Sequence, residues 1–173
     1  MHNIADCCLV LLLGTVVFQD LRSREISWFL IPLLFIGFTI KAVLTIPQND
    51  VLLYFLFNSG FVIVQLILLT LYFSLKNHRF TNIINKYLGI GDLLFFLAIC
   101  TASSPANFIM FFILSMVLIL IIYFIYTLIS DKPLKEIPLA GLMSAVIICL
   151  IGLNLSIRSL SFYDDFYILS LLS

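Results

Sequence analysis

The sequence predicts an all-α, polytopic membrane protein with six transmembrane helices and both termini outside. Three observations support this prediction: the composition, the spacing of the apolar segments and the distribution of the basic residues. Of the 173 residues, 63% are hydrophobic and 10% are charged, whereas charged residues make up about 25% of an average soluble domain. A soluble fold with this composition would expose large apolar patches. We therefore expect the lipid bilayer to surround the chain.

Short polar breaks divide the chain into six apolar segments. A transmembrane helix needs about 20 mostly apolar residues, within a range of about 17–25, and each segment is close to that length. No linker or change in composition separates them, so we expect one six-helix domain over residues 1–173. The predicted spans are 3–19, 26–46, 51–75, 83–103, 108–129 and 137–157, and the breaks between them are 21–25, 47–50, 76–82, 104–107 and 130–136.

The basic residues predict the orientation. Seven of the nine Lys and Arg residues fall in or beside the first, third and fifth breaks. Loops rich in Lys and Arg stay in the cytosol, so we expect a multi-pass protein of the inner (plasma) membrane whose odd-numbered loops are cytosolic. The seven are Arg22, Arg24, Lys76, Arg79, Lys86, Lys132 and Lys135, and the remaining two are Lys41 and Arg158.

Composition also limits the partners and cofactors. The formal net charge is zero, and no basic stripe is present that could neutralise phosphates, so no nucleic-acid partner is expected. The four cysteines lie in apolar stretches and form no CxxC pair, which favours neither a zinc site nor a redox motif. We therefore predict no metal and no cofactor.

Two aspartates lie at the edge of the predicted apolar region. Asp at the centre of a membrane helix costs about 2.5–3.5 kcal/mol, so such a residue is a functional candidate. Asp20 ends the first apolar run, and Asp92 interrupts the fourth. Counted from the outer breaks at ~1.5 Å per residue, they lie about 24 Å and about 18 Å along their helices. Both are therefore predicted near the cytosolic interface.

A pair of facing carboxylates has a defined chemistry. Two carboxylates at low dielectric cannot both ionise easily and tend to share one proton. One can then activate water as a general base while the other protonates a peptide carbonyl. The helix dipole favours an anion at Asp92, which opens a helix, and disfavours one at Asp20, which closes a helix. We therefore expect Asp20 to be the protonated member.

Two glycines precede the second aspartate. Gly89 and Gly91 would let another backbone approach closely, and glycine permits extended or left-handed geometry. A peptide substrate in extended form needs such an approach. The alternative interpretation is that the glycines begin a helix and Asp92 caps it, because Asp is common at helix starts.

Three segments resemble a known family. Residues 89–92 read Gly-Ile-Gly-Asp and match GxGD, the signature of intramembrane aspartyl peptidases. Residues 20–26, DLRSREI, resemble the D-x-R-x-R-x-I segment of type IV prepilin peptidases, and residues 137–142, IPLAGL, resemble the opening of that family's last span. The resemblance extends over essentially the whole chain. It is to a short form without the N-terminal cytosolic methylation domain.

The resemblance implies an aspartic-type endopeptidase. Its substrates would be prepilin-like (type IV pilin or pseudopilin) precursors, whose basic leader is cut at the cytosolic membrane face. Asp20 and Asp92 would be the catalytic pair, and Gly89 and Gly91 would shape the adjacent loop. Components of a pilus or secretion apparatus are further expected partners.

The chain departs from the family pattern at two places. It has Ser27-Trp28 where members often have Pro-Asn, and Leu94 where they often have Lys. A basic leader would also approach loops that are themselves basic. The acids available to bind it are Glu25, Asp131 and Glu136, although simple solvation of these side chains is the alternative.

Two other functions remain open from the sequence. A small ion or solute transporter could use the aspartate pair as ligands, because buried acids mark ion pathways. Its further polar candidates would be Asp6, Asn58, Gln65 and Asn154. A non-catalytic assembly protein of a secretion system could keep the same fold.

Overall fold

The computed structural model describes residues 2–78, 88–129, 137–156 and 162–163. Six α-helices contain most of these residues, and no β-strand occurs among them, so the prediction of an all-α fold is confirmed. The helices are α1 His2–Ser23, α2 Leu30–Thr45, α3 Gln48–Lys76, α4 Ile90–Ile99, α5 Pro105–Ile129 and α6 Leu139–Ser156.

Three of the helices are long and apolar enough to cross a membrane, which indicates a membrane protein. They extend over Ile4–Ser23, Gln48–Lys76 and Pro105–Ile129. The other three are shorter apolar helices, over Leu30–Thr45, Ile90–Ile99 and Leu139–Asn154. With 10 residues, α4 is about 15 Å long, which is half the thickness of a hydrocarbon core of about 30 Å.

The first helix continues one turn beyond its predicted end at residue 19. It includes Asp20 and ends at Ser23, because the next residue reverses the backbone. Arg24 adopts φ 59°, and its N–H donates to the carbonyl oxygen of Asp20 at 3.1 Å. This left-handed residue closes the helix in the position usually taken by glycine.

The fourth helix is shorter than predicted. The predicted span 83–103 includes residues 83–87, which lie outside the described part of the chain, and the helix itself ends at Ile99. Asn58 of α3 makes this early end possible. Its buried Nδ2 donates to the carbonyl oxygens of Cys100 at 2.8 Å and Ser103 at 3.0 Å. The apolar pattern of this segment could not show that a side chain from another helix would bind its backbone carbonyls.

One face of α1 is buried against its neighbouring helices. Its buried residues are Asp6, Leu9, Leu13, Val16 and Asp20, spaced by three or four residues and so aligned on one face. The helix packs most extensively on α6 and next on α2. An acid therefore stands at each end of the buried stripe.

The acid at the first end of the stripe is paired. Asp6 Oδ1 lies 2.6 Å from Lys41 Nζ, and that ammonium also lies 5.2 Å from the ring centroid of Phe162. Tyr163 is buried beside them and donates to the carbonyl oxygen of Thr101 at 3.3 Å. Burial, together with the Asp6 carboxylate, raises the pKa of the Tyr163 hydroxyl, which stays protonated as a donor.

Candidate active site

The acid at the second end of the stripe reaches across to α6. Asp20 lies in the last turn of α1 and is 5% exposed. Its Oδ2 accepts the backbone N–H of Gly141 at 2.6 Å. The two residues are 121 positions apart in the chain, so only the packing of α1 against α6 brings them together.

The second aspartate reaches the same helix from another direction. Asp92 lies in the first turn of α4 and is half-buried. Its Oδ1 accepts the backbone N–H of Ala140 at 3.2 Å. The structure therefore brings Asp20 and Asp92 together, because they bind adjacent amides of one helix.

The start of α6 explains why two carboxylates converge there. The first backbone bond of the helix runs from the N–H of Leu142 to the carbonyl oxygen of Pro138 at 3.1 Å. The amides of the first turn precede that bond and have no partner within the helix. The positive end of the helix dipole also favours negative charge at this point. Asp20 and Asp92 thus satisfy two donors that α6 itself leaves open.

Gly141 was not identified from the sequence as a site residue, although Asp20 packs closely against it in the structure. A Cβ built on Gly141 would lie 2.9 Å from Asp20 Oδ2 and 3.0 Å from Asp20 Cβ. Both distances are shorter than ordinary Cβ contacts, so Asp20 would have to shift, and its Cβ can move only with its own backbone. The sequence signal was a glycine shortly after Pro138, since proline marks a helix start.

The two predicted loop glycines have different surroundings. Gly89 is exposed and extended, with φ −68° and ψ 146°, and a Cβ there would lie 3.3 Å from Asp92 Oδ2. A Cβ on Gly91 would meet only ordinary contacts with Ile26, the nearest at 3.7 Å. Gly89 thus leaves room for the Asp92 carboxylate, whereas Gly91 lies inside the first turn of α4.

The alternative interpretation, in which the glycines begin a helix, agrees with the start of α4. Gly89 is the N-cap of α4, and Asp92 lies in the first turn, three residues later. The Asp92 carboxylate also accepts a hydrogen bond from α6. The helix-dipole argument for Asp20 as the protonated acid treated each aspartate as lying at the end of its own helix. That argument is weaker in the structure, because both aspartates accept hydrogen bonds from the positive N-terminus of α6.

The remaining charged candidates are only partly described. Arg24, half-buried just after α1, is close enough to interact electrostatically with Asp20. Glu25 is exposed. Asp131 and Glu136, the other two predicted leader-binding acids, lie outside the described residues. Within the described ranges, no group of three or more His, Cys, Asp or Glu side chains could hold a metal ion.

Comparisons of the chain with family models, with curated proteins and with solved structures found no match.

Proposed function

We propose that the chain is an intramembrane aspartic endopeptidase of the inner (plasma) membrane. It removes the basic leader from prepilin-like precursors at the cytosolic membrane face. The observation that carries the proposal is that Asp20 and Asp92, from two different helices, accept hydrogen bonds from the adjacent amides of Gly141 and Ala140. Two anchored carboxylates at one point are what acid–base hydrolysis of a peptide bond requires.

The chemistry follows from sharing one proton between the two acids. The ionised carboxylate takes a proton from water as the water oxygen attacks the scissile carbonyl carbon. The protonated carboxyl donates its proton to the carbonyl oxygen, which gives a neutral gem-diol. Proton transfer to the peptide nitrogen then breaks the C–N bond and releases the leader as a carboxylic acid and the mature chain as an amine.

The surroundings of the pair suit an extended peptide. Asp92 is half-buried and Asp20 is buried, so water and substrate would approach from the Asp92 side. The neighbouring Gly89 is exposed and already extended. A substrate backbone can approach such a residue closely, because no Cβ stands between them.

The test is the processing of co-expressed prepilin-like precursors. Asp20→Asn and Asp92→Asn should each abolish leader removal while the protein remains in the membrane. Asp50→Asn, at the start of α3 and away from α6, is the matched control and should process normally. Cleavage by either site variant would contradict the proposal, and the two aspartates would then be structural caps of α6.

Leader binding has its own test. Simultaneous neutralisation of Glu25, Asp131 and Glu136 to the amides should slow cleavage of a basic leader at low ionic strength, where surface charges are least screened. The effect should disappear at high salt. An unchanged cleavage rate at low salt would remove these acids from the substrate site.

The transporter alternative has less support. Two of its candidate polar residues are engaged elsewhere, since Asn58 binds backbone carbonyls and Asp6 pairs with Lys41. Gln65 lies on the exposed face of α3. A non-catalytic assembly role predicts that the wild-type protein cleaves no precursor, so the processing assay also separates that alternative.

A further inference from the structure

A buried serine lies one helical turn beyond the two amides that hold the aspartates. Ser144 of α6 is 0% exposed, and its Oγ has no hydrogen-bond partner within the described part of the chain. Buried hydroxyls are normally bonded, so each exception calls for an explanation. Several other hydroxyls in these helices bond the carbonyl one turn back, as Thr39 and Thr70 do at 2.7 Å.

Ser144 lies on the same face of α6 as the two residues whose amides bind the aspartates. Ser144 is three residues after Gly141 and four after Ala140, so all three share one face of α6. Helical side chains lean towards the N-terminus and cover the preceding turn. Gly141 has no side chain to obstruct that path. Ser144 therefore lies beside the turn of α6 whose amides bind Asp20 and Asp92.

Of the two carboxylates, Asp20 is the more suitable partner. It is 5% exposed, whereas Asp92 is half-buried and can be hydrated from outside. A carboxylate accepts up to about four hydrogen bonds. Buried water commonly joins such an acceptor to a hydroxyl that no protein atom satisfies.

We propose, on the basis of the proposed peptidase function, that Ser144 is a positioning residue for Asp20. Its hydroxyl donates to a buried water, and that water donates to the Asp20 carboxylate. Together with the Gly141 amide, this contact fixes the orientation of Asp20 relative to Asp92. Ser144 does not touch the substrate.

The sign of a stability change tests the contact without any assay of activity. The variants are Ser144→Ala and Ser115→Ala, the second being the matched control. Ser115 of α5 is also 0% exposed with an unpartnered Oγ, but α5 supplies no amide to the aspartates. Removal of a hydroxyl with no partner is neutral or stabilising, whereas removal of a bonded one destabilises. Ser144→Ala should lower the Tm in detergent micelles, and Ser115→Ala should not.

The same substitution in an Asp20→Asn background tests whether the partner of Ser144 is Asp20. Hydrogen bonds to a charged group are roughly twice as strong as neutral ones. The Tm loss caused by Ser144→Ala should therefore fall by roughly half in an Asp20→Asn background. A Tm for Ser144→Ala that equals or exceeds that of the wild type overturns the proposal, as does the same Tm loss in both backgrounds.

Kinetics test the positioning role separately. A misplaced catalytic group lowers the rate by up to about a hundredfold, so Ser144→Ala should reduce kcat for precursor cleavage about tenfold or more and leave KM unchanged. An unchanged kcat overturns the role. If the wild-type protein cleaves no precursor, the peptidase function fails, while the Tm measurements still decide whether Ser144 and Asp20 are linked.

Discussion

Substituting alanine for Gly141 adds a single methyl group at the point where α6 meets Asp20. The added Cβ would lie 2.9 Å from Asp20 Oδ2 and 3.0 Å from Asp20 Cβ. The carboxylate oxygen could rotate away, but Asp20 Cβ can move only with the backbone of α1. The 2.6 Å hydrogen bond from the Gly141 amide must therefore lengthen or break.

The magnitude follows from that hydrogen bond. A hydrogen bond to a charged group contributes about 1.5–3 kcal/mol. Alanine favours a helix over glycine by up to about 1 kcal/mol, which offsets part of the loss. We expect the free energy of unfolding to fall by roughly 0.5–2 kcal/mol. Loss of the whole hydrogen bond from the transition state would slow cleavage about 10- to 100-fold.

The assay compares two glycines of the same helix. Gly152→Ala is the matched control, because a Cβ at Gly152 has nothing within 4 Å and alanine should stabilise α6 there by up to about 1 kcal/mol. Both variants would be purified in detergent, and their thermal unfolding and rate of precursor cleavage measured. If Gly141→Ala matched Gly152→Ala in both measurements, the reasoning from the Asp20–Gly141 contact would be refuted.

Two further variants test how the buried polar groups outside the site stabilise the bundle. Lys41→Met leaves the Asp6 carboxylate buried without its partner and should lower the free energy of unfolding by about 3–5 kcal/mol. The double variant Asp6→Leu/Lys41→Met should recover most of that loss. Denaturant titration in micelles measures both stabilities, and equal values for the single and double variants would contradict the expectation. Asn58→Ala removes two hydrogen bonds to the carbonyls beyond α4 and should lower the free energy of unfolding by about 1–3 kcal/mol. Thermal unfolding compares it with Gln65→Ala, at an exposed position of the same helix. Similar Tm values for the two variants would show that Asn58 does not stabilise this turn.

The positions of the helices that the structure describes could be predicted because apolar segments and polar breaks are local properties. Each of the six helices in the described residues occurs where an apolar segment was predicted, since proline and polar clusters end a helix whatever surrounds it. The ends were less accurate. The extension of α1 to Ser23 depends on the left-handed Arg24, and the early end of α4 depends on Asn58. Both are decided by single residues that a hydropathy pattern does not register.

The identity of the candidate acids also came from the sequence. Asp20 and Asp92 were selected because a carboxylate at membrane depth is costly and therefore informative. Their proximity was inferred only from similar depth. The residues that hold them, Gly141 and Ala140, were not identified, because a backbone amide has no side chain to mark it.

The sequence by itself determined the helical class, the apolar character of the helices and the two carboxylates, because each depends on residue type and local spacing. Only the tertiary structure decided that α6 joins those carboxylates. The first amides of a helix have no partner within it and bind an acceptor from elsewhere. Which acceptor they bind depends on how α1, α4 and α6 pack. For the same reason, only the tertiary structure shows that Asp92, in the first turn of α4, accepts the N–H of Ala140 in α6 at 3.2 Å.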